Sequence, residues 1–238
     1  MIGTWINIAT VLIGGLVGTF LGKKIPERLR ATVISGIGLF TIGLGLKMFL
    51  ETNNSLVVVG GLIIGAILGE WWKIEDGLKS LGIWLETKFN KNNGEDGQVN
   101  FIKGFLTASL LFVIGPMAIL GSIQDGLTGN YEVLAIKAVL DGFSALVFAS
   151  SLGIGVVFSV IPIFVYQGLI TMLAYQVQTF VTNDMMTEMT AVGGIIILSL
   201  GVSSLLEIKK IRSGNFLPAL IIVPLLVWAI NIFGFALP

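Results

Sequence analysis

The 238-residue sequence contains no cysteine and no histidine. Those two absences exclude disulfides, thiolate nucleophiles, haem ligation through imidazole and the usual zinc sites, since each needs one of these side chains. Ser-His and Cys-His nucleophilic pairs go with them, so any catalytic reading would have to rest on carboxylates. Charge is scarce too. Only 12% of residues are charged against 55% hydrophobic, and the mean hydropathy is +0.95. Soluble domains carry about a quarter charged residues, so the shortfall lies in the groups that a solvated surface needs. The formal net charge is zero and no basic face stands out, which argues against nucleic acid as a partner. No cofactor is expected, and a bound metal would be a hard cation held by oxygen.

What fills the chain instead is a series of apolar runs long enough to cross a hydrocarbon core of about 30 Å. They are Ile2–Leu21, Ala31–Leu50, Leu56–Trp72, Phe105–Leu120, Val133–Leu152, Ile154–Tyr175, Met186–Leu206 and Phe216–Phe235. The basic cluster follows the first run rather than preceding it, so Ile2–Leu21 reads as a span and not a cleavable signal. The expected fold is therefore all-α, a polytopic transmembrane helix bundle of about eight spans over 1–238 as one domain. Seven or nine remain open, because the fourth run is short and the fifth and sixth nearly touch. Trp5, Trp71, Trp72, Tyr175 and Trp228 fall toward span ends, where amphipathic aromatics anchor at the interface.

Lys and Arg set the orientation. Loop 1–2 holds Lys23, Lys24, Arg28 and Arg30, loop 3–4 holds Lys73, Lys79, Lys88, Lys91 and Lys103, and loop 7–8 holds Lys209, Lys210 and Arg212. The alternate loops hold none, so these loops are expected in the cytoplasm and both termini outside. Within loop 3–4, residues 74–89 place Leu78, Leu81, Trp84 and Leu85 on one helical face, the pattern of an amphipathic helix lying on the cytoplasmic leaflet. Residues 90–100 read as a flexible linker.

Two patterns concern packing. A shift of 158 residues sets Gly36 on Gly194, Thr41 on Ser199, Gly43 on Gly201 and Leu62-Ile63-Ile64 on Leu220-Ile221-Ile222. Partners five spans apart enter the membrane oppositely, so spans 1–3 and 6–8 read either as an inverted repeat, the architecture of many transporters, or as a chance match of apolar segments. Glycines recur every fourth residue at Gly14, Gly18 and Gly22 and at Gly61, Gly65 and Gly69. Such faces let helix backbones approach closely, either within the chain or across a homodimer; packing within the chain is the commoner use.

Ionisable groups inside spans are costly and mark sites or buried pairs. Lys137 and Asp141 stand four apart on one face of span 5, with Asp141 roughly 12 Å into it. Either they are an ion pair that fixes packing, or Asp141 binds a cation or proton and Lys137 tunes its charge. Gly115-Pro116 breaks span 4 and frees the carbonyl of Phe112. Beyond it lie Gln124, Asp125 and Gly126, and span 6 carries Pro162, Tyr166, Gln167, Gly168 and Thr171. The kinks and Asp141 would bracket a polar site.

The segments FVIGPMAILGSIQDGLTG, KAVLDGFSALVFASSLGIGVVFS and YQGLITMLAYQ, with the opening GTWINIATVLIGGLVGTFLGKKIPERL, resemble the YqgA/YdfK-type family of bacterial membrane proteins, a conserved domain of unknown function. The resemblance implies a bacterial cytoplasmic (inner) membrane location. Its motif residues here are Gly115, Pro116, Gln124, Asp125, Gly126, Lys137, Asp141, Gly142, Tyr166 and Gln167.

The first functional expectation is a secondary transporter of a small ion or polar solute, with Asp141, Lys137, Asp125, Gln124, Gln167 and Tyr166 at the site and helix breaks at Gly115, Pro116 and Pro162. A channel differs from it by non-saturating flux. A membrane scaffold or sensor is the alternative from another class. An enzyme is not expected, since only a dyad of Asp125 and Asp141 would remain to carry it.

Overall fold

The structure, a computed structural model, describes residues 1–22, 24–89 and 94–233, and the described residues are helical with no strand. The α-helices are α1 (Ile2–Gly22), α2 (Glu27–Phe49), α3 (Ser55–Trp72), α4 (Ile74–Phe89), α5 (Gly94–Val113), α6 (Pro116–Thr128), α7 (Glu132–Leu152), α8 (Val160–Met172), α9 (Ala174–Phe180), α10 (Asn183–Leu200) and α11 (Ala219–Phe233). A 3-10 turn over Ile154–Ser159 leads into α8, a π turn over Gly201–Leu205 extends α10, and a 3-10 turn over Ser213–Phe216 precedes α11. Local chemistry sets several ends. Asn54 caps α3 through the N–H groups of Leu56 and Val57, Thr182 caps α10 through Met185, and Lys73 closes α3 in the left-handed conformation.

Seven segments are long and apolar enough to cross a membrane, and α5–α6, bent by 62° at its break, makes an eighth if it crosses once. Helix pairing decides the point. Along α1 and α7 a Cβ on Gly14 would strike the carbonyl of Gly142, one on Gly18 that of Leu146 and one on Gly22 that of Ser150. Both numbers rise together, so the two helices are parallel. On α3 and α11, Gly61 meets Val223 and Gly65 meets Ala219, with Gly69 against Asn215 in the 3-10 turn before α11. Along α2, Gly45 meets Gly194 of α10 while Gly38 meets Leu206 just past its π turn. There one number falls as the other rises, so both pairs are antiparallel. Alternating spans give all three relations only if α5–α6 crosses the bilayer once. A re-entrant α5–α6 would reverse every one of them, so these pairings favour eight over seven among the described residues.

The chain forms two compact units. Unit 1 comprises Met1–Gly36 and Leu78–Thr179, and unit 2 comprises Ile37–Gly77 and Phe180–Pro238. Unit 1 is built on α1 against α7, with α5, α6 and α8 around them. Unit 2 pairs α3 with α11 and α10 with both. Trp5, Trp71, Trp72, Tyr175 and Trp228 are exposed, as residues facing lipid should be.

Several expectations change. The glycine faces pack within their own units, Gly14, Gly18 and Gly22 against α7 and Gly61 and Gly65 against α11. The paired glycines of the proposed repeat differ in setting: Gly36 and Gly43 face open space, while Gly194 and Gly201 pack against α2. Of the apolar face of α4, Leu85 is buried with Phe101 and Phe105 and Leu81 packs against them, while Trp84 stays exposed. Part of that face is covered by α5 rather than left for a leaflet. Residues 94–100 of the expected linker are the start of α5, while 90–93, with Lys91, and Lys23 of loop 1–2 lie outside the described residues. Pro162 lies in the first turn of α8, directly after the 3-10 turn over Ile154–Ser159, so it stands where the chain changes helix type rather than inside a regular α-helix.

Candidate functional site

The site grows from the break in span 4. Gly115 adopts φ +146°, a conformation open to glycine alone, and Pro116 starts α6 at a position where its missing donor is harmless. In a continuous helix the N–H of residue 116 would bond the carbonyl of Phe112; proline cannot. That carbonyl instead accepts from Lys137 Nζ at 2.8 Å. The Lys137 ammonium also pairs with Asp141 one turn along α7. Asp141 Oδ2 takes a further bond from Asn7 Nδ2 on α1, 3.0 Å away. One chain of polar contacts thus joins the end of α5, the middle of α7 and the second turn of α1. Lys137 is 6% exposed, Asp141 8% and Asn7 0%.

Asp125 on α6 is the second buried carboxylate. It accepts from the N–H of Gly3 at 3.0 Å and faces the amino group of Met1 at 3.1 Å, so it serves the free N–H groups at the start of α1. Gly3 and Asn7 are one helical turn apart, about 6 Å along the axis. The first two turns of α1 therefore hold both carboxylates, which sixteen residues of sequence had left unconnected.

The same unit holds polar side chains with no protein partner. Both amide atoms of Gln167 are buried and unsatisfied, as are the hydroxyls of Thr171 on the same helix, Thr4 on α1, Ser122 on α6 and Thr107 and Ser109 on α5, together with Asn7 Oδ1. Gly126 packs on the carbonyl of Thr171, and a Cβ on Gly168 would lie 3.3 Å from the end of Met1, so α6, α8 and the start of α1 meet here. Apolar neighbours would have been cheaper at each of these positions. Buried polar groups left unmatched by protein are the lining expected of a path for water or a polar solute.

Not every expected residue joins. Gln124 is exposed, because one residue along a helix turns the side chain about 100° away from Asp125; only its carbonyl is engaged, by Thr128. Tyr166, next to Gln167, is half-buried. The sequence reading missed Asn7, yet a signal was there: Gly3, Asn7, Val11, Gly14, Gly18 and Gly22 follow helical spacing, and all are buried. It also missed Glu188 in unit 2, which is 3% exposed and accepts from Thr52 Oγ1 at 2.5 Å and from the N–H groups of Asn53 and Asn54 at 2.8 and 2.9 Å. That carboxylate ties down the turn between α2 and α3. At the other end of α3, Asn215 accepts from the N–H of Glu75 and donates to Glu70, Glu75 accepts from the N–H of Gly214, and Arg212 pairs with Glu70.

A family described as "Protein of unknown function (DUF554)" matches residues 2–228. The chain is 32% identical over 238 residues to the "Uncharacterized membrane protein YdfK" of Bacillus subtilis (strain 168), covering 98% of this chain and 99% of that one. It is also 32% identical over 222 residues to the "Uncharacterized protein YqgA" of Escherichia coli (strain K12), covering 93% and 94%. No solved structure matches it.

Proposed function

We propose a function from the premise that the chain belongs to the DUF554 family of membrane proteins: it is a secondary transporter of a small ion or polar solute. The resemblance carried by GPMAILGSIQDGL and LDG stands, and the family description brings no substrate with it. The observation that supports transport is the bridge made by Lys137, which ties the broken end of α5 to Asp141 in the unit that also holds the buried side chains no protein group satisfies. Secondary transporters place their sites at such discontinuous helices near the midplane.

In this reading the Lys137 ammonium neutralises Asp141 while the site is empty. A cation or proton arriving at the carboxylate, or a polar solute taking hydrogen bonds from Asn7 and Gln167, competes with that pair. Lys137 keeps its bond to the Phe112 carbonyl meanwhile, so the end of α5 is coupled to occupancy of Asp141. The antiparallel pairing of α2 with α10 and of α3 with α11 accords with an inverted repeat, as opposite insertion of two hairpins demands. A helical bundle belongs in the bacterial cytoplasmic membrane rather than an outer membrane of β-barrels. The segregation of basic residues puts both termini outside.

The test is uptake by proteoliposomes across a panel of inorganic cations and small polar solutes. Saturable uptake above empty liposomes, abolished by Asp141→Asn in a protein that still folds, is expected. Unchanged flux in that variant, or no uptake of any solute, would sink the assignment and leave the scaffold reading.

A further inference from the structure

A second polar feature of unit 1 lies away from this site, at the opposite end of α7. An open cleft of about 470 Å³ is lined by Thr19 of α1, Arg30 of α2, Gly97, Asn100 and Phe101 of α5, and the 149–154 turn that joins α7 to the following 3-10 segment. Ser151, ten residues beyond Asp141, sits roughly 15 Å farther along the helix. Two observations at this cleft concern a ligand rather than packing. Ser151 is 3% exposed, lines the cleft, and its hydroxyl has no partner. Arg30 also lines it, and its buried Nε has no partner, while one terminal nitrogen makes a 3.5 Å contact with the Gly22 carbonyl.

A guanidinium is a planar fork of donors that matches the oxygens of a carboxylate or phosphate, and leaving a donor edge of it buried and unused is costly. Thr19 and Asn100 add side chains able to donate to the same oxygens. Lys24 does not compete for an anion here, because it lies over the ring of Phe20.

We propose that this cleft is a binding site for a phosphate-type oxyanion, held by Arg30 and Ser151 with Asn100 and Thr19 at its rim. The same chemistry is offered by soluble phosphate and by the headgroup of an anionic lipid; basic pockets between helices on the cytoplasmic side commonly take the latter. The proposal does not depend on transport, and its test reads binding alone.

The full-length protein, purified in an uncharged detergent, is titrated with inorganic phosphate and, separately, with phosphatidylglycerol against phosphatidylcholine, while its unfolding temperature is followed. At ten times the dissociation constant the rise should be roughly 3 °C. A rise with phosphate that Arg30→Gln removes supports the site with a soluble ligand. A rise with phosphatidylglycerol alone, removed by the same substitution, supports it with a lipid headgroup. Ser151→Ala, a milder change in case Arg30→Gln does not fold, should reduce the rise. No rise with either probe, or a rise that survives both substitutions, overturns the proposal.

Discussion

Unit 1 and unit 2 are made from the same apolar vocabulary, and both bury polar side chains, but they treat them in opposite ways. In unit 2 Glu188 is held by three donors, Ser199 bonds Ser213, and Glu70, Glu75, Arg212 and Asn215 satisfy one another. In unit 1 Gln167, Thr171, Thr4 and Ser122 are buried with polar atoms that have no partner, and among the described residues every buried side-chain polar atom left unpaired belongs to this unit. Polarity that is satisfied fixes a structure; polarity that is left open is kept at a cost in stability and needs another reason to be there. The buried polar groups of unit 2 that are described above are satisfied within it, and the unsatisfied ones lie in unit 1, where the proposed transport site is placed.

The sharpest way to break that contrast is to cut the central pair. Lys137→Met should destabilise the protein by about 3–5 kcal/mol, because Asp141 and the Phe112 carbonyl lose their shared partner inside the membrane. Lys137→Met with Asp141→Leu should recover much of that loss and still be inactive in uptake. A double variant no more stable than the single one in a denaturation series would contradict the account. Next in size comes Glu188→Gln, expected to cost about 1.5–3 kcal/mol by weakening three charge-assisted bonds while leaving the uptake constants of the folded fraction unchanged. Gly18→Ala, which forces a methyl into the Leu146 carbonyl, should cost about 1–3 kcal/mol in the same assay. Gln167→Leu should do the reverse of Glu188→Gln, holding or raising the unfolding temperature while lowering uptake. Smallest is Gly43→Ala, where nothing lies within 4 Å. It should be neutral or stabilise α2 by up to about 1 kcal/mol.

How far the sequence disclosed this arrangement depends on the kind of signal. Spans are legible because apolar length is a one-dimensional property, and helix ends such as Gly22 and Leu152 fall within a residue of their apolar runs. The break at Gly115-Pro116 and the freed Phe112 carbonyl were legible because proline chemistry is local. That Lys137 would reach this carbonyl was not, since twenty-five residues separate them and only tertiary packing brings them together. Asn7 hid inside an ordinary-looking span until its place on the glycine face was considered. Gln124 misled because proximity in sequence to Asp125 says nothing about which way a helix turns the next side chain. The glycine faces were legible as packing faces, but not their partners: α7 for α1 and α11 for α3.

The contrast between the units can be measured directly, because the natural chain has no cysteine to remove. Gln167→Cys in unit 1 and Ser199→Cys in unit 2, both at buried positions, are exposed in intact membranes to a membrane-impermeant maleimide from each side. The account predicts labelling at residue 167 from at least one side and none at residue 199. A dry, unreactive residue 167, or equal labelling at both positions, would contradict it.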